Sequence, residues 1–320
     1  MRQEAYYCTA EELVKLGKDA IPPQLISNTH LIYSSPATLA FNSPGAEGFG
    51  VKRAGLAVPG SIMLIVAPGC CGRNTSMISS MREYHDRFFY LLMDETDIVT
   101  GRHLKKIPKA VKEICEGREE KPSVVMICIT CVDALLGTDM ERICRRATEE
   151  AGLPVRPCYM YALTREGRKP PMVHVRQSIY SLLEPKKKKG NVVNLLGFFS
   201  PLVDDCELYD LLKDAGVKTV HEISRCQDYD EYLTMAEANF NLVLHPEARF
   251  AAEDFHDRLK IPFIELTRLY QIDKIASQYR AFGAALGVQF SDVEAREQAE
   301  RAVDKFRQAC PDASFAVGEC

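Results

Sequence analysis

Nowhere in its 320 residues does the chain reach the roughly 18 consecutive apolar residues that a bilayer-spanning helix needs. Its first residues, Met1-Arg2-Gln3-Glu4-Ala5, lead into polar and acidic positions instead of an apolar leader. No membrane segment is expected, and the chain reads as cytoplasmic. An excess of one charge is also missing: 40 Lys and Arg stand against 44 Asp and Glu, a formal net charge of -4. That balance argues against a nucleic-acid surface. No G-x-x-x-x-G-K-[ST] occurs, so no P-loop phosphate cradle is available. Gly45-Ala46-Glu47-Gly48-Phe49-Gly50 is glycine-rich, but it neither follows a convincing strand nor keeps the dinucleotide spacing. No nucleotide is expected on this chain.

What is present is ordinary globular material, 46% hydrophobic and 26% charged. A chain of this length buries about 75% of its unfolded surface, and more than one domain is the natural expectation. The twelve cysteines are not expected to form disulfides, because a reducing compartment keeps thiols free. Metal ligation and simple burial remain as their uses.

Apolar runs and amphipathic stretches alternate. Residues 1–60 read as an irregular wrapping segment with a short helix, Ala10 to Lys18, and a loop through Pro36, Pro44, Gly45, Gly48 and Gly50. From Ser61 the pattern becomes strand 61–67, helix 75–88, strand Phe89 to Met93, helix Leu104 to Glu116, strand Val124 to Ile129, helix Leu135 to Ala151 and strand Val155 to Tyr161. A helix near 171–183 completes a domain over 61–185. Glu184 to Gly190, with Pro185 and four lysines at 186–189, reads as a linker. A second domain over 190–288 carries strands Asn191 to Leu196, Thr219 to Glu222, Phe240 to Leu244 and Phe263 to Glu265, with helices at 205–215, 230–237, 249–259 and 267–286. A helix over 291–309, within a terminal segment 289–320, precedes Ser314 to Cys320. That last stretch looks like the start of an incomplete third unit, as in a shortened chain. The fold class this predicts is α/β, with two Rossmann-like, doubly wound parallel sheets.

Two of the strands end in cysteine. Cys70 and Cys71 follow the run 61–67, and Thr130-Cys131 follows the run 124–129. In an open α/β sheet, ligands collect beyond the carboxyl ends of strands, so thiols at two such ends suggest a soft-metal site. Glycine at Gly69 and Gly72 would let backbone amides approach a cluster. Cys115, Cys128, Cys144, Cys158 and Cys206 sit in apolar surroundings, where a free cysteine serves as a small hydrophobe. Cys128 and Cys131 form a C-x-x-C spacing, but Cys128 lies inside the strand, whereas a redox dithiol would open a helix. Cys8, ahead of the first short helix, is expected to face solvent or to be partly buried.

Four segments together resemble the catalytic-component family of nitrogenase, light-independent protochlorophyllide reductase and nickel-sirohydrochlorin reductive cyclase. They are Ala67-Pro68-Gly69-Cys70-Cys71-Gly72, Asp97-Ile98-Val99-Thr100-Gly101, Ile129-Thr130-Cys131-Val132-Asp133-Ala134-Leu135-Leu136-Gly137-Thr138-Asp139, and Val193-Asn194-Leu195-Leu196-Gly197. The resemblance spans roughly 42–287. It implies an iron-sulfur cluster at a subunit interface, with Cys71, Cys131 and Cys70 as metal ligands and Gly69, Gly72 and Thr130 lining it. The family pattern adds an earlier cysteine, where Asn42-Ser43-Pro44-Gly45 here has serine. A cubane wants four ligands, so Cys70, a second copy of the chain or a related subunit must complete the set. The resemblance also implies an ATP-dependent iron-sulfur reductase as electron donor, to which the lysine run could dock, and a substrate bound between the domains.

In the second domain His221, Cys226 and His245 fall near strand ends and are weak catalytic candidates; for each histidine a backbone-satisfied structural role competes. The reading these features favour is an iron-sulfur catalytic subunit of a nitrogenase-like reductase. Its rivals are a metallocluster assembly scaffold and a non-redox, two-lobed binding protein.

Overall fold

The computed structural model describes residues 15–16, 51–69, 84–160, 169–266 and 268–313. Cys8, most of the expected helix Ala10 to Lys18, the 36–50 loop with Asn42-Ser43-Pro44-Gly45, Cys70, Cys71, Gly72 and the segment 314–320 lie outside the described residues. By backbone contacts the chain divides into two compact units, one of Met1–Leu183 with Cys226–Leu233 and the other of Glu184–Arg225 with Thr234–Cys320.

The first unit holds β1 (Ile62–Ala67), β2 (Phe88–Leu92), α1 (Glu95–Thr100), α2 (His103–Glu116), β3 (Val125–Ile129), α3 (Cys131–Leu136), α4 (Met140–Ala151), β4 (Val155–Tyr159) and α5 (Pro171–Tyr180). Its strands form one parallel sheet in the order β2-β1-β3-β4. Every residue of β1 and β3 is buried, which is why both read as unbroken apolar runs: a central parallel strand is covered on both faces. One face packs Ile62, Leu64, Val66, Val125, Ile127 and Ile129 against Ile107, Val111 and Cys115 of α2 and Met140, Cys144 and Ala147 of α4. The helical residues recur at three- and four-residue steps, the period of one helix face. Fully burying each such aliphatic side chain contributes about 1.5–3 kcal/mol.

Local chemistry explains where the elements depart from expectation. The helix expected over Leu135 to Ala151 is two helices. Gly137 at φ 67 ends α3 in the left-handed region, Thr138 N–H closes back on Asp133 O at 3.1 Å, and Asp139 caps α4 by accepting from Arg142 N–H at 3.0 Å. That glycine-terminated closure followed by a fresh aspartate cap is a stop and a restart. The strand expected to begin at Phe89 begins at Phe88, so position 88 is not helical; the expected helix over 75–88 otherwise falls mostly outside the described residues. β4 ends at Tyr159, and the helix expected from 267 begins at Ile272. The helix α1 was not expected: it is six residues long, too short for hydrophobic periodicity to reveal.

The second unit repeats the plan with β5 (Val192–Leu196), α6 (Glu207–Asp214), β6 (Thr219–Glu222), β7 (Phe240–Val243), α8 (Arg249–Leu259) and β8 (Phe263–Glu265), followed by α9 (Ile272–Leu286) and α10 (Val293–Ala309). Here α7 denotes Tyr229–Thr234, most of which packs with the first unit, where the Tyr232 hydroxyl donates to Ile179 O at 2.6 Å. The second sheet is parallel in the order β6-β5-β7-β8. The segment 184–190 is irregular and mostly exposed, as a linker should be, but it is anchored. Lys188 donates to Ala236 O at 2.7 Å, and Lys189 pairs with Glu237.

Candidate functional site

The strand order dictates where a ligand can sit. In the first sheet the chain leaves β1, places β2 on one side, then crosses to place β3 on the other. The switch point therefore lies between β1 and β3, the place where open parallel sheets collect their ligands. β1 and β3 run side by side to their ends, with Val66 opposite Ile129. Thr130 and Cys131 leave β3 at that mouth. Pro68 and Gly69 leave β1 beside them and lead within one and two residues to Cys70 and Cys71, which lie outside the described residues.

Cys131 opens α3 and is half-buried. The Thr130 hydroxyl beside it is buried with no hydrogen-bond partner among the described residues. Native structures satisfy most buried polar atoms, so such an orphan marks a place where a ligand atom or water belongs. At Gly69 an added Cβ would meet nothing within 4 Å among the described residues, so packing within them does not demand glycine there. A soft donor and an unsatisfied hydroxyl at one strand mouth fit an iron-sulfur cluster in kind, since thiolate suits iron and sulfide. They do not fit it in number. Among the described residues no group of three or more His, Cys, Asp and Glu is placed to hold a metal ion, so Cys131 needs Cys70, Cys71 or another chain to complete a ligand set.

Behind Cys131 stands a buried polar network that sequence reasoning missed. Asp133, fully buried on α3, accepts at Oδ1 from the Thr138 hydroxyl at 3.0 Å and faces His103 Nε2 at 2.9 Å. The other ring nitrogen, Nδ1, lies 3.0 Å from Asp97 O. A carbonyl can only accept, so Nδ1 carries hydrogen and one proton is shared across the Nε2–Oδ1 contact. Asp97 accepts from Lys106 Nζ at 2.7 Å, from Arg102 Nε at 2.8 Å and, weakly, from Asp94 N–H at 3.4 Å. The Lys106 and Arg102 hydrogen bonds hold its carboxyl well below the usual carboxylate range. Two of the sequence motifs thereby acquire physical reasons: Asp97 and Gly101 build and end α1, while Asp133, Gly137, Thr138 and Asp139 shape the turn that holds the start of α3. The aspartates were visible in those motifs; their link to His103 was not, because it joins residues 30 apart.

Exposed apolar side chains stand on the elements at this same end of the sheet. Leu92 closes β2, Val99 lies on α1, and Leu135 and Leu136 lie on α3; all are at least half exposed.

The three weak candidates separate. Cys226 belongs to the first unit, and burial pushes its thiol up to about 12, which disfavours the thiolate needed for ligation. His221 sits half-buried within the edge strand β6, opposite Asn194. His245 follows β7 and accepts from Glu247 N–H at 3.3 Å through Nδ1, capping a short 3-10 turn. It packs edge-on to Phe198 with ring centroids 5.9 Å apart. By the same topological argument the second unit's switch point lies between β5 and β7, where Gly197, at φ 146, approaches so closely that a Cβ would lie 2.8 Å from His245 N.

Among the described residues no helix is long and apolar enough to cross a membrane. Residues 47–314 match the family described as Nitrogenase component 1 type Oxidoreductase. Curated relatives include a nitrogenase iron-molybdenum cofactor biosynthesis protein NifE of Rhizobium meliloti (strain 1021), 29% identical over 63% of this chain and 44% of its own length. The protein of the same name in Nostoc sp. is 26% identical over 73% of this chain and 49% of its own length. The chain thus spans about half the length of the curated relatives it matches. A solved structure titled "Nitrogenase Cp1 at pH 6.5" superposes with a TM-score of 0.53 at 20% identity, covering 82% of this chain and 53% of the other. That likeness extends the resemblance to the fold.

Proposed function

The chain belongs to the nitrogenase component 1 type oxidoreductase family, and from that premise we propose that it is the cluster-carrying part of a nitrogenase-like reductase, with Cys131, Cys71 and Cys70 as thiolate ligands. The observation that carries this reading is the position of Cys131 at the switch point between β1 and β3, beside a Thr130 hydroxyl that has no hydrogen-bond partner among the described residues. An iron-sulfur cluster there would supply one-electron chemistry at a potential set by its surroundings. The protein's part is mechanical and electrostatic. β3 and α3 fix the Cys131 sulfur, Thr130 offers a hydroxyl, and the Asp133–His103–Thr138 network locks the first turns of α3.

The ligand shortfall calls for a second chain, either a copy of this one or a related subunit, and Leu92, Val99, Leu135 and Leu136 offer it an apolar surface. Electrons would come from a separate ATP-hydrolysing iron-sulfur protein. In the second unit His245, at the mouth of the switch point, is the candidate retained for contact with a substrate or cofactor. Cys226 and His221 lack such a position.

A specific observation also favours the assembly-scaffold reading: the curated relatives carry the name of cofactor biosynthesis proteins. The same site serves both, and the difference is turnover. Anaerobic protein loaded with ferrous iron and sulfide should hold iron and acid-labile sulfide, most of which Cys131→Ala removes while Cys128→Ala leaves in place. Iron content unchanged in Cys131→Ala sinks the ligand assignment. Loss of the bound cluster to an apo acceptor protein without substrate reduction selects the scaffold, and reductant-dependent substrate turnover selects the reductase.

A further inference from the structure

Cys128 and Cys158 stand directly opposite one another on the neighbouring parallel strands β3 and β4. Directly paired residues on adjacent parallel strands point to the same face, with backbones about 4.8 Å apart. That spacing falls inside the roughly 4.4–6.8 Å between Cα atoms that a disulfide spans. Both thiols are fully buried. Cys158 Sγ lies 3.7 Å from Val51 O, the start of the helical segment over 51–55 that covers this face. The fit is close: a Cβ on Gly55 would come within 3.5 Å of Cys158 Sγ. Lys52, itself 1% exposed, brings a cationic side chain into the same buried layer. The Cys158 S–H donates to Val51 O; the neighbouring Cys158 side chain and the Lys52 charge lower the Cys128 thiol, while burial pushes the Cys158 thiol up.

We propose that Cys128 and Cys158 form a redox-active dithiol that hydrogen peroxide converts to a cross-strand disulfide, tying β3 to the edge strand β4. The chemistry balances. The Cys128 thiolate attacks one peroxide oxygen, the O–O bond breaks, and a sulfenic acid forms as hydroxide leaves. The Cys158 sulfur then attacks the Cys128 sulfur, the S–S bond forms, and the S–O bond breaks with loss of the second hydroxide. The two thiol protons end in two waters, so two thiols are oxidised as one peroxide is reduced. A small neutral oxidant suits a pair reached only when the cover over 51–55 opens. The C-x-x-C spacing concealed this partner: Cys128 pairs with Cys158 across the sheet, and Cys131 leaves from the strand end.

The test is native peroxide treatment of the anaerobic protein, an acid quench, alkylation after denaturation, and peptide mass spectrometry. The expected product is a Cys128–Cys158 linked peptide pair that has lost two hydrogens and is restored by a thiol reductant. The link should vanish in Cys128→Ser and in Cys158→Ser and persist in Cys131→Ser, with circular dichroism confirming that each variant is folded. Should a serine variant fail to fold, the wild-type link and the Cys131→Ser control still decide. A link that appears only when peroxide is added after denaturation, or oxidation confined to other cysteines, overturns the proposal.

Discussion

Removing the Asp133 carboxylate should loosen the mouth of β3 around Cys131. In Asp133→Ala the ring of His103 and the hydroxyl of Thr138 lose their common acceptor inside a region where His103 and Asp133 are 0% exposed. Deleting one member of a buried, hydrogen-bonded polar pair costs about 3–5 kcal/mol, because the survivor stays desolvated without its partner. His103→Ala should cost a similar amount, as it also frees Asp97 O and opens a cavity. The two losses share one interaction, so the double variant should cost less than their sum by about 1–3 kcal/mol. A chain of two compact units need not unfold in one step, so hydrogen exchange at the amides of α2 and α3 is the suitable assay. Protection there should fall in each single variant, with no comparable change in β5 or β7. Strictly additive losses, or a single-variant cost below about 1 kcal/mol, would show that the pair does not hold the turn as described.

Further outcomes follow from other buried groups. Burial lowers the His174 imidazole to about 4, so the folded state resists protonation while the unfolded chain, near 6.5, accepts it. This contribution is fully present above about pH 6.5 and is lost as pH falls toward 4, about 3 kcal/mol in all. Denaturant midpoints between pH values near 7.5 and 5 should therefore drop in the wild type and drop less in His174→Gln; equal drops would refute the assignment. Gly197→Ala should cost about 1–3 kcal/mol, because φ 146 disfavours a side chain and the added Cβ would meet backbone at His245; a wild-type thermal midpoint would contradict that approach. Asn194→Ala should destabilise the second unit by about 1–3 kcal/mol, since Asn194 Nδ2 donates to Met235 O at 2.9 Å and to Asn241 Oδ1 at 2.8 Å inside a closed layer. Unchanged exchange protection in β5 and β7 would count against it.

The succession of strands along the chain and the parallel, doubly wound class were legible in the chain itself. Unbroken apolar runs such as Ile62–Ala67 and Val125–Ile129, separated by amphipathic stretches, have few other ways to bury themselves. So was the position of Cys131, because the residue after a buried run stands at the strand's end. Burial of Cys115, Cys128, Cys144 and Cys158 followed from their apolar neighbours, whereas Cys206 precedes α6 at its cap position and is only half-buried. Tertiary structure decided what depends on groups far apart in sequence. Which strands flank the switch point is a matter of strand order, and periodicity carries no strand order. The link from His103 to Asp133 crosses 30 residues, and that from Tyr232 to Ile179 crosses 53. Local pattern records how a segment buries its own face; the partner that satisfies a buried polar atom is set only when the layers close, and on that closure rest the network behind Cys131 and the pairing of Cys128 with Cys158.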